Sequence, residues 1–368
     1  MAGGEGTRLR PITCKMPKPA VPVKDKPMIL HIIDLLEKNG IYDIAITLKY
    51  LPGEIKKIVE SAISRGDVKA DIKFCTETAP LGTAGSVKNC IAECYENSEE
   101  DFLIISGDAM TDINLREMID FHKNFGKMAT IAVKTVEVPT EFGVVLTNKE
   151  NMVTGFIEKP VWSEAVSNLV NTGIYIITSE LMEQCPSGIS CDFAKDIFTK
   201  VPDLSKNIAA YQTNAFWCDI GDIQSYRRVN LKDGGFIGEN CNISGEAEIQ
   251  NSVICHGCSI GAGTVVIDSV IMPNTVIGKH CKISESVLCP SISVDDGVIA
   301  EDAVIGEKST IGRSALINKG TKIWDNANIL PESIIHGVIR EYGGSASSYS
   351  PEMVLRLGCT FGTFLGHH

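Results

Sequence analysis

The 368-residue sequence has no apolar run that approaches the length of a membrane span. Its first residues lack the basic and apolar regions of a signal peptide, so a cytosolic protein is expected. Positive charge is not in excess: 34 Lys and Arg stand against 46 Asp and Glu, a formal net charge of −12. A nucleic-acid-binding surface would usually be basic, which argues against that class of partner. A nucleotide substrate stays open, because a few well-placed Arg and Lys residues suffice locally. Zinc-finger spacing is also missing. Among thirteen cysteines, Cys255-His256-Gly257-Cys258 is the only C-x-x-C, and no second pair stands at finger spacing. Cys90 and Cys94 are four apart in a helical stretch, which need only mean a shared face. Scattered, reduced cysteines in a core are the expectation. His31, His122, His256, His280 and His336 form no metal spacing, and none has an evident partner.

One more absence bears on function. The chain opens on Met1-Ala-Gly-Gly-Glu-Gly-Thr-Arg-Leu-Arg10, a glycine-rich phosphate-binding loop with no strand in front of it. Such a loop wraps phosphates with backbone N–H groups, and normally leaves a strand and enters a helix N-terminus. Gly3, Gly4 and Gly6 permit the close approach; Arg8, Arg10 and Lys18 can add charge. A first strand is therefore expected upstream, and the sequence reads as a piece of a longer protein.

What is present falls into two textures. Up to about residue 230, helical and strand-like segments alternate. Met28–Asn39 carries apolar residues at helical spacing and is followed by Gly40, a helix stop. Ile41–Leu48 reads as a strand, Glu54–Ser64 as a helix and Ile72–Cys75 as a strand. Phe102–Ile105 is short and wholly apolar, as expected of a buried parallel strand. This alternation implies an open α/β sheet covered by helices, with ligands beyond the carboxyl ends of the strands.

From about Phe236 the period becomes six. Ile237, Ile243 and Ile249 are followed, after a one-residue slip, by Ile254, Ile260 and Val266. Ile299, Ile305, Ile311, Ile317, Ile323, Ile329 and Ile335 keep the spacing strictly. Glycine often follows, at Gly238, Gly261, Gly278, Gly306 and Gly312, where a small residue lets a corner turn. A six-residue repeat fits a hexapeptide parallel β-helix with the aliphatic residue inward. The break at residues 288–298 predicts a loop or an irregular coil. Gly343–Ser350 has linker composition, and Pro351–Leu365 reads as an amphipathic helix behind a Ser350 cap.

The phosphate loop, Pro17-Lys18-Pro19, Glu158-Lys159-Pro160 and the hexapeptide tail together resemble the sugar-nucleotide pyrophosphorylases, and most closely the bacterial mannose-1-phosphate guanylyltransferases. The resemblance covers nearly the whole chain. It implies a Rossmann-like, GT-A-like α/β nucleotidyltransferase domain over residues 1–230 and a left-handed parallel β-helix over 231–342. Residues 343–368 are then a linker and the opening helix of a phosphohexomutase-like domain; no phosphoserine loop is present. The implied reaction joins an NTP, with GTP favoured, to a sugar 1-phosphate, giving an NDP-sugar and pyrophosphate with Mg²⁺. Both reactants are anions, so positive charge must hold them together, and orientation with electrostatics can carry most of the rate.

The same resemblance implies the site. Ala2, Gly3, Gly4, Gly6 and Thr7 cradle the NTP phosphates, with Arg8 and Lys18 as the catalytic cations. Glu77, Pro80, Gly82 and Thr83 wall the base, within Leu81-Gly82-Thr83-Ala84-Gly85-Ser86. Asp108 and Asp219 hold the metal, and Mg²⁺ needs few carboxylates because phosphate and water complete its shell. Gly143, Glu158, Lys159, Asn171 and Thr172, with Gly173, meet the sugar phosphate. Asp222 reads as a helix cap rather than a ligand. Homo-oligomerisation through the β-helix is expected, since open strand edges invite pairing. Three other readings stand beside this one. They are a glucose-1-phosphate nucleotidyltransferase using dTTP, UTP or ATP, a hexapeptide acyltransferase, and a non-catalytic sugar-nucleotide-binding assembly subunit.

Overall fold

The computed structural model describes residues 1–2, 6–95, 98 and 100–340. Gly3, Gly4 and residues 343–368, where a linker and a helix were expected, lie outside the described residues. The chain divides into two units. The first holds Met1–Gly6, Met16–Val21 and Lys26–Gly221; the second holds Thr7–Lys15, Pro22–Asp25 and everything from Asp222. The division therefore falls at Gly221, somewhat before the expected residue 230.

In the first unit the alternating pattern gives helices and strands close to where it placed them. Helix α1 (Met28–Lys38) buries Met28, Ile29, Leu30, Ile32, Ile33 and Leu36. It stops at Gly40, whose φ of +79° suits glycine. Helix α2 (Pro52–Arg65) begins on a proline that gives up an already unpaired N–H, and ends on left-handed Gly66. Helix α3 (Gly82–Cys94) and helix α4 (Leu115–Phe125) follow. The Asn114 side chain caps α4 by accepting from the Glu117 N–H at 3.3 Å.

The strands form a mixed arrangement. Strands Asp43–Leu48 and Asp71–Thr76 pair in parallel. A second sheet runs Ile208–Gln212, Ala129–Thr135, Leu169–Ile177, Gly143–Thr147 and Val153–Glu158 in order. Strand Phe102–Ile105 joins it by pairing antiparallel with Leu169–Ile177, not in parallel as its apolar run had suggested. Burial on both faces produces the same apolar run in either orientation.

Between strands Asp43–Leu48 and Phe102–Ile105 lies a cavity of about 670 Å³, walled by Leu36, Ile44, Val87, Ile91, Leu103 and Ile119 among others. Met1 and Ala2 bridge its end. The Ala2 N–H donates to the Thr47 carbonyl at 3.1 Å, the Met1 ammonium to Ile105 at 2.9 Å, and the Gly107 N–H to the Met1 carbonyl at 2.6 Å. Two residues thus bond to both strands, as the end of a strand lying between them would.

The second unit is a parallel β-helix of three sheets, with seven, six and six strands among the described residues. From Ile305 the coil is eighteen residues long, Ile305 pairing with Ile323, and before it the repeat is a coil of seventeen. Ile237 pairs with Ile254, Ile254 with Ile271, Ile271 with Leu288 and Leu288 with Ile305. Each such coil has two six-residue sides and one of five, which accounts for the slip after Ile249. Two expectations fail for the same reason. The 288–298 segment is a regular coil, with Leu288, Val294 and Ala300 buried in turn. Ile299, the first of the seven evenly spaced isoleucines, points outward at 44% exposure, and Ala300 takes the inward place. Ile305 through Ile335 do line the interior.

The five-residue corner has its own chemistry. Buried Ser252, Ser269 and Ser286 stack one per coil, and each hydroxyl accepts the N–H of the next coil, at 3.1, 3.0 and 3.0 Å, ending on Ala303. Glycine after the inward residue answers a close approach between coils. A Cβ on Gly261 would lie 2.6 Å from the Gly278 carbonyl oxygen.

Candidate active site

Asp108 and Asp219, over a hundred residues apart, are brought together by a short antiparallel pair. Strand Trp217–Asp219 lies against strand Ala109–Thr111 with Asp219 opposite Ala109, and the Ile220 N–H donates to the Asp108 carbonyl at 3.1 Å. Asp108 itself follows strand Phe102–Ile105 across Ser106-Gly107. That turn needs glycine, because a Cβ on Gly107 would lie 2.5 Å from the Met1 carbonyl oxygen.

Lys18 completes the group. It opens a short 3₁₀ turn, Lys18–Ala20, held by Pro17 and Pro19. Its Nζ lies 3.0 Å from Asp108 Oδ2 and 3.0 Å from Asp219 Oδ1. The Lys18 side chain is 8% exposed, while those of Asp108 and Asp219 are 43% and 28% exposed. A nearly buried ammonium is thus paired with two partly exposed carboxylates. Burial disfavours the Asp108 charge, but the Lys18 ammonium, the Ser106 hydroxyl and the chain's own ammonium outweigh it. They hold the carboxyl below the ordinary range. Two oxygen donors converging on one cationic atom suit a hard divalent cation of the Mg²⁺ type.

The residues expected on the sugar side belong to the same unit. Gly143 and Glu158 are partners across two antiparallel strands. They line a cavity of about 80 Å³ with Asn171, Phe156 and Lys195. A Cβ at Gly143 would crowd Glu158 Oε2 at 3.0 Å. Asn171 donates from its side-chain amide to the Tyr175 hydroxyl at 2.9 Å and accepts from the Gly173 N–H at 2.9 Å. Lys159 is exposed and sits at φ +43°, with its N–H donating to the Phe142 carbonyl at 3.1 Å. Left-handed backbone at a lysine costs about 1–3 kcal/mol and collects at functional sites. Buried Pro160 behind it disfavours the ordinary helical alternative.

Other expected residues are placed differently. Thr172 is buried, and its hydroxyl donates to the Ala132 carbonyl at 2.7 Å, so its side chain holds the bulge in strand Leu169–Ile177. The Thr172 carbonyl accepts from the Trp217 indole at 2.9 Å, tying this bulge to the Asp219 strand. Thr83 donates to Asp192 Oδ2 at 2.9 Å and accepts from the Phe193 N–H at 3.0 Å. Gly82 packs on the Cys191 backbone, where a Cβ would come within 2.5 Å. Glu77 and Pro80 stand on the loop before α3, with Pro80 exposed, and Ala2 is buried. Gly6 has φ +64°. Thr7 and Arg8 are exposed and belong to the second unit. Asp222 is the cap it was expected to be, accepting from the Ser225 N–H at 2.8 Å in a reciprocal capping box.

One residue was not picked out from the sequence, and another was named there without its partner. Lys195 joins the small cavity from a segment with no motif, so only folding could reveal it. His256 has a partner after all: its Nδ1 lies 2.6 Å from Asp25 Oδ1, and its N–H also donates to Asp25 at 2.9 Å. A pair 231 positions apart leaves no local signal.

Comparison with known proteins follows this geometry. Residues 1–234 match the family model described as nucleotidyl transferase, and residues 219–314 match that of the EIF2B subunit epsilon LbH domain. The chain is 31% identical over 284 residues to the mannose-1-phosphate guanylyltransferase catalytic subunit beta of Drosophila pseudoobscura pseudoobscura, covering 76% of this chain and 70% of the relative. It is 30% identical over 320 residues to the UTP–glucose-1-phosphate uridylyltransferase of a Synechocystis strain, covering 76% and 82%. Among solved structures, HddC from Yersinia pseudotuberculosis complexed with GMP-PN superposes with a TM-score of 0.53 at 27% identity. That match covers 63% of this chain and 96% of HddC. No described helix is long and apolar enough to cross a membrane.

Proposed function

The chain belongs to the nucleotidyl transferase family, of the sugar-phosphate type, and from that premise we propose that it makes GDP-mannose and pyrophosphate from GTP and mannose 1-phosphate. The observation that carries the reading is Lys18 held between Asp108 and Asp219. In the proposed reaction a phosphate oxygen of the sugar phosphate attacks the α-phosphorus of GTP in line. The bond to the β-phosphate oxygen breaks, and pyrophosphate leaves with that oxygen. Negative charge builds on the α-phosphate oxygens, so a fixed cation stabilises the transition state more than the ground state. Lys18 is suited to this because prolines on both sides stiffen its backbone and its stem is buried. Lys159 would hold the sugar's phosphate, and Glu158 would accept hydrogen bonds from ring hydroxyls. Asn171, oriented through Tyr175 and Gly173, frames the same cavity.

Asp108 and Asp219 would hold Mg²⁺, which when bound neutralises phosphate charge. Neither carboxylate serves as a nucleophile. The loop at Gly6–Arg8 would bind the NTP phosphates, and Glu77, Pro80 and the start of α3 would wall the base. Thr83, bonded to Asp192 and Phe193, would act there by shaping the loop. Oligomerisation through the β-helix belongs to the same proposal.

GTP and mannose 1-phosphate are favoured by the guanylyltransferase relatives and by the solved relative's GMP-PN complex. The uridylyltransferase relative, at nearly the same identity, supports UTP and glucose 1-phosphate as the second reading. A matrix of GTP, UTP, dTTP and ATP against mannose and glucose 1-phosphates, read by pyrophosphate release, decides between them. Tight nucleotide binding without release under any pair would overturn both and favour a non-catalytic binding role.

A further inference from the structure

Strand Asp71–Thr76 and helix α3 aim three thiols at one point. Cys90 and Cys94 are one helical turn apart, so both face the same way. Cys75 comes from the adjacent strand, and its Sγ lies 2.9 Å from Cys90 Sγ and 2.9 Å from Cys94 Sγ. All three sulfurs lie within 4.8 Å of one another, the only such group of possible metal ligands among the described residues. Cys75 and Cys90 are buried; Cys94, the last residue of the helix, is half-buried. Cysteines that merely fill a core need not converge in this way.

Three chemistries could use the cluster. A catalytic thiolate is disfavoured, since burial pushes the Cys75 thiol well up and the Cys90 thiol to about 11. A disulfide would join two sulfurs at about 2.05 Å and leave the third without a role. A soft cation uses all three. With metal–sulfur bonds of about 2.3 Å, three sulfurs around one ion stand roughly 4 Å apart. Side-chain adjustments of the order of 1 Å reach that arrangement from the observed one.

We propose that Cys75, Cys90 and Cys94 form a three-sulfur site for one thiophilic metal cation of the Zn²⁺ or Cu⁺ class. Thiolate ligands select such ions over Mg²⁺, so the site is chemically separate from the paired aspartates. The ion would fix strand Asp71–Thr76 to the C-terminal end of α3, and so steady the two elements that the loop carrying Glu77 and Pro80 connects. That last consequence rests on the nucleotide-site reading above; the metal site does not.

The test uses the full chain, reduced and kept anaerobic, titrated with Cd²⁺ as a spectroscopic probe. Thiolate-to-metal charge-transfer absorption should include one equivalent that disappears in the C75S/C90S/C94S variant and persists in C255S/C258S. C94S, altered only at the half-buried helix end, should weaken that equivalent at least tenfold and keep its circular dichroism. Cd²⁺ should raise the melting temperature of the parent and not that of C94S. The proposal is overturned if the folded parent gives no such band, or if C94S binds and melts like the parent. A Cys75–Cys90 disulfide that survives reductant, seen as a mass two hydrogens low, would also overturn it. None of these readouts depends on turnover.

Discussion

An extension of five apolar residues ahead of Met1 should stabilise the first unit substantially. The argument rests on the cavity and its two walls. Strands Asp43–Leu48 and Phe102–Ile105 each spend one edge on another partner, and Met1–Ala2 bond to both at one end of the gap. The wall from Asp43 to Thr47 is about 17 Å long at roughly 3.3 Å per residue, which suits five extended residues. Such a segment can form about eight backbone hydrogen bonds, each contributing about 0.5–1.5 kcal/mol net. Two or three inward Val or Ile side chains add about 1.5–3 kcal/mol each. Ordering five residues costs about 1–2 kcal/mol apiece for the backbone and somewhat more for side chains. The balance is of the order of 3 kcal/mol in favour. For a unit of this size that is roughly 5–15 °C in melting temperature. Calorimetry should show the rise with a Val/Ile extension and not with a Gly/Ser extension of equal length. Equal melting of both extended chains and the parent would refute the reasoning and mean that the cavity is not a strand slot.

Lys18→Met should lower kcat by about 10²–10³ with a smaller change in nucleotide KM, because it removes charge aimed at the transition state; an unchanged kcat would remove Lys18 from the mechanism. Ser269→Ala should destabilise the β-helix by about 1–3 kcal/mol in a denaturant titration, since it leaves the buried Ser286 N–H without its acceptor; a change below about 0.5 kcal/mol would mean that water replaces it. Asp108 titrates lower folded than unfolded. Its contribution to stability is therefore full above the unfolded carboxyl pKa of about 3.9 and lost as pH falls through the folded value. Asp108→Asn should flatten the acid limb of the stability–pH curve, and an identical limb in the variant would contradict the pairing.

Much of this molecule was legible in its sequence because its signals are local. The α1 and α2 patterns, the glycine stops and the Asp222 cap depend only on neighbours along the chain. The six-residue period announced the β-helix, yet the evenest isoleucine run misled. Ile299 shares the spacing but not the register, because coils of seventeen residues contain one five-residue side. Serines 252, 269 and 286 carry the better signal, repeating with the coil itself. The site was legible as motifs and not as geometry. Sequence could name Asp108, Lys18 and Asp219, but only the pairing of strands Ala109–Thr111 and Trp217–Asp219 puts the two aspartates on one ammonium. Thr172 shows the reverse, a residue inside a motif whose hydroxyl is committed to Ala132. Lys195 and the Asp25–His256 pair are long-range contacts with no local signature.

The central claim is that this chain transfers a nucleotidyl group to a sugar phosphate at the Lys18–Asp108–Asp219 centre. Pyrophosphate release by the purified chain with GTP, mannose 1-phosphate and Mg²⁺ tests it most directly. Release should require both substrates, yield one GDP-sugar per pyrophosphate, and fall by at least about a hundredfold in Asp108→Asn. Release that ignores the sugar phosphate, or that survives Asp108→Asn undiminished, would contradict the account.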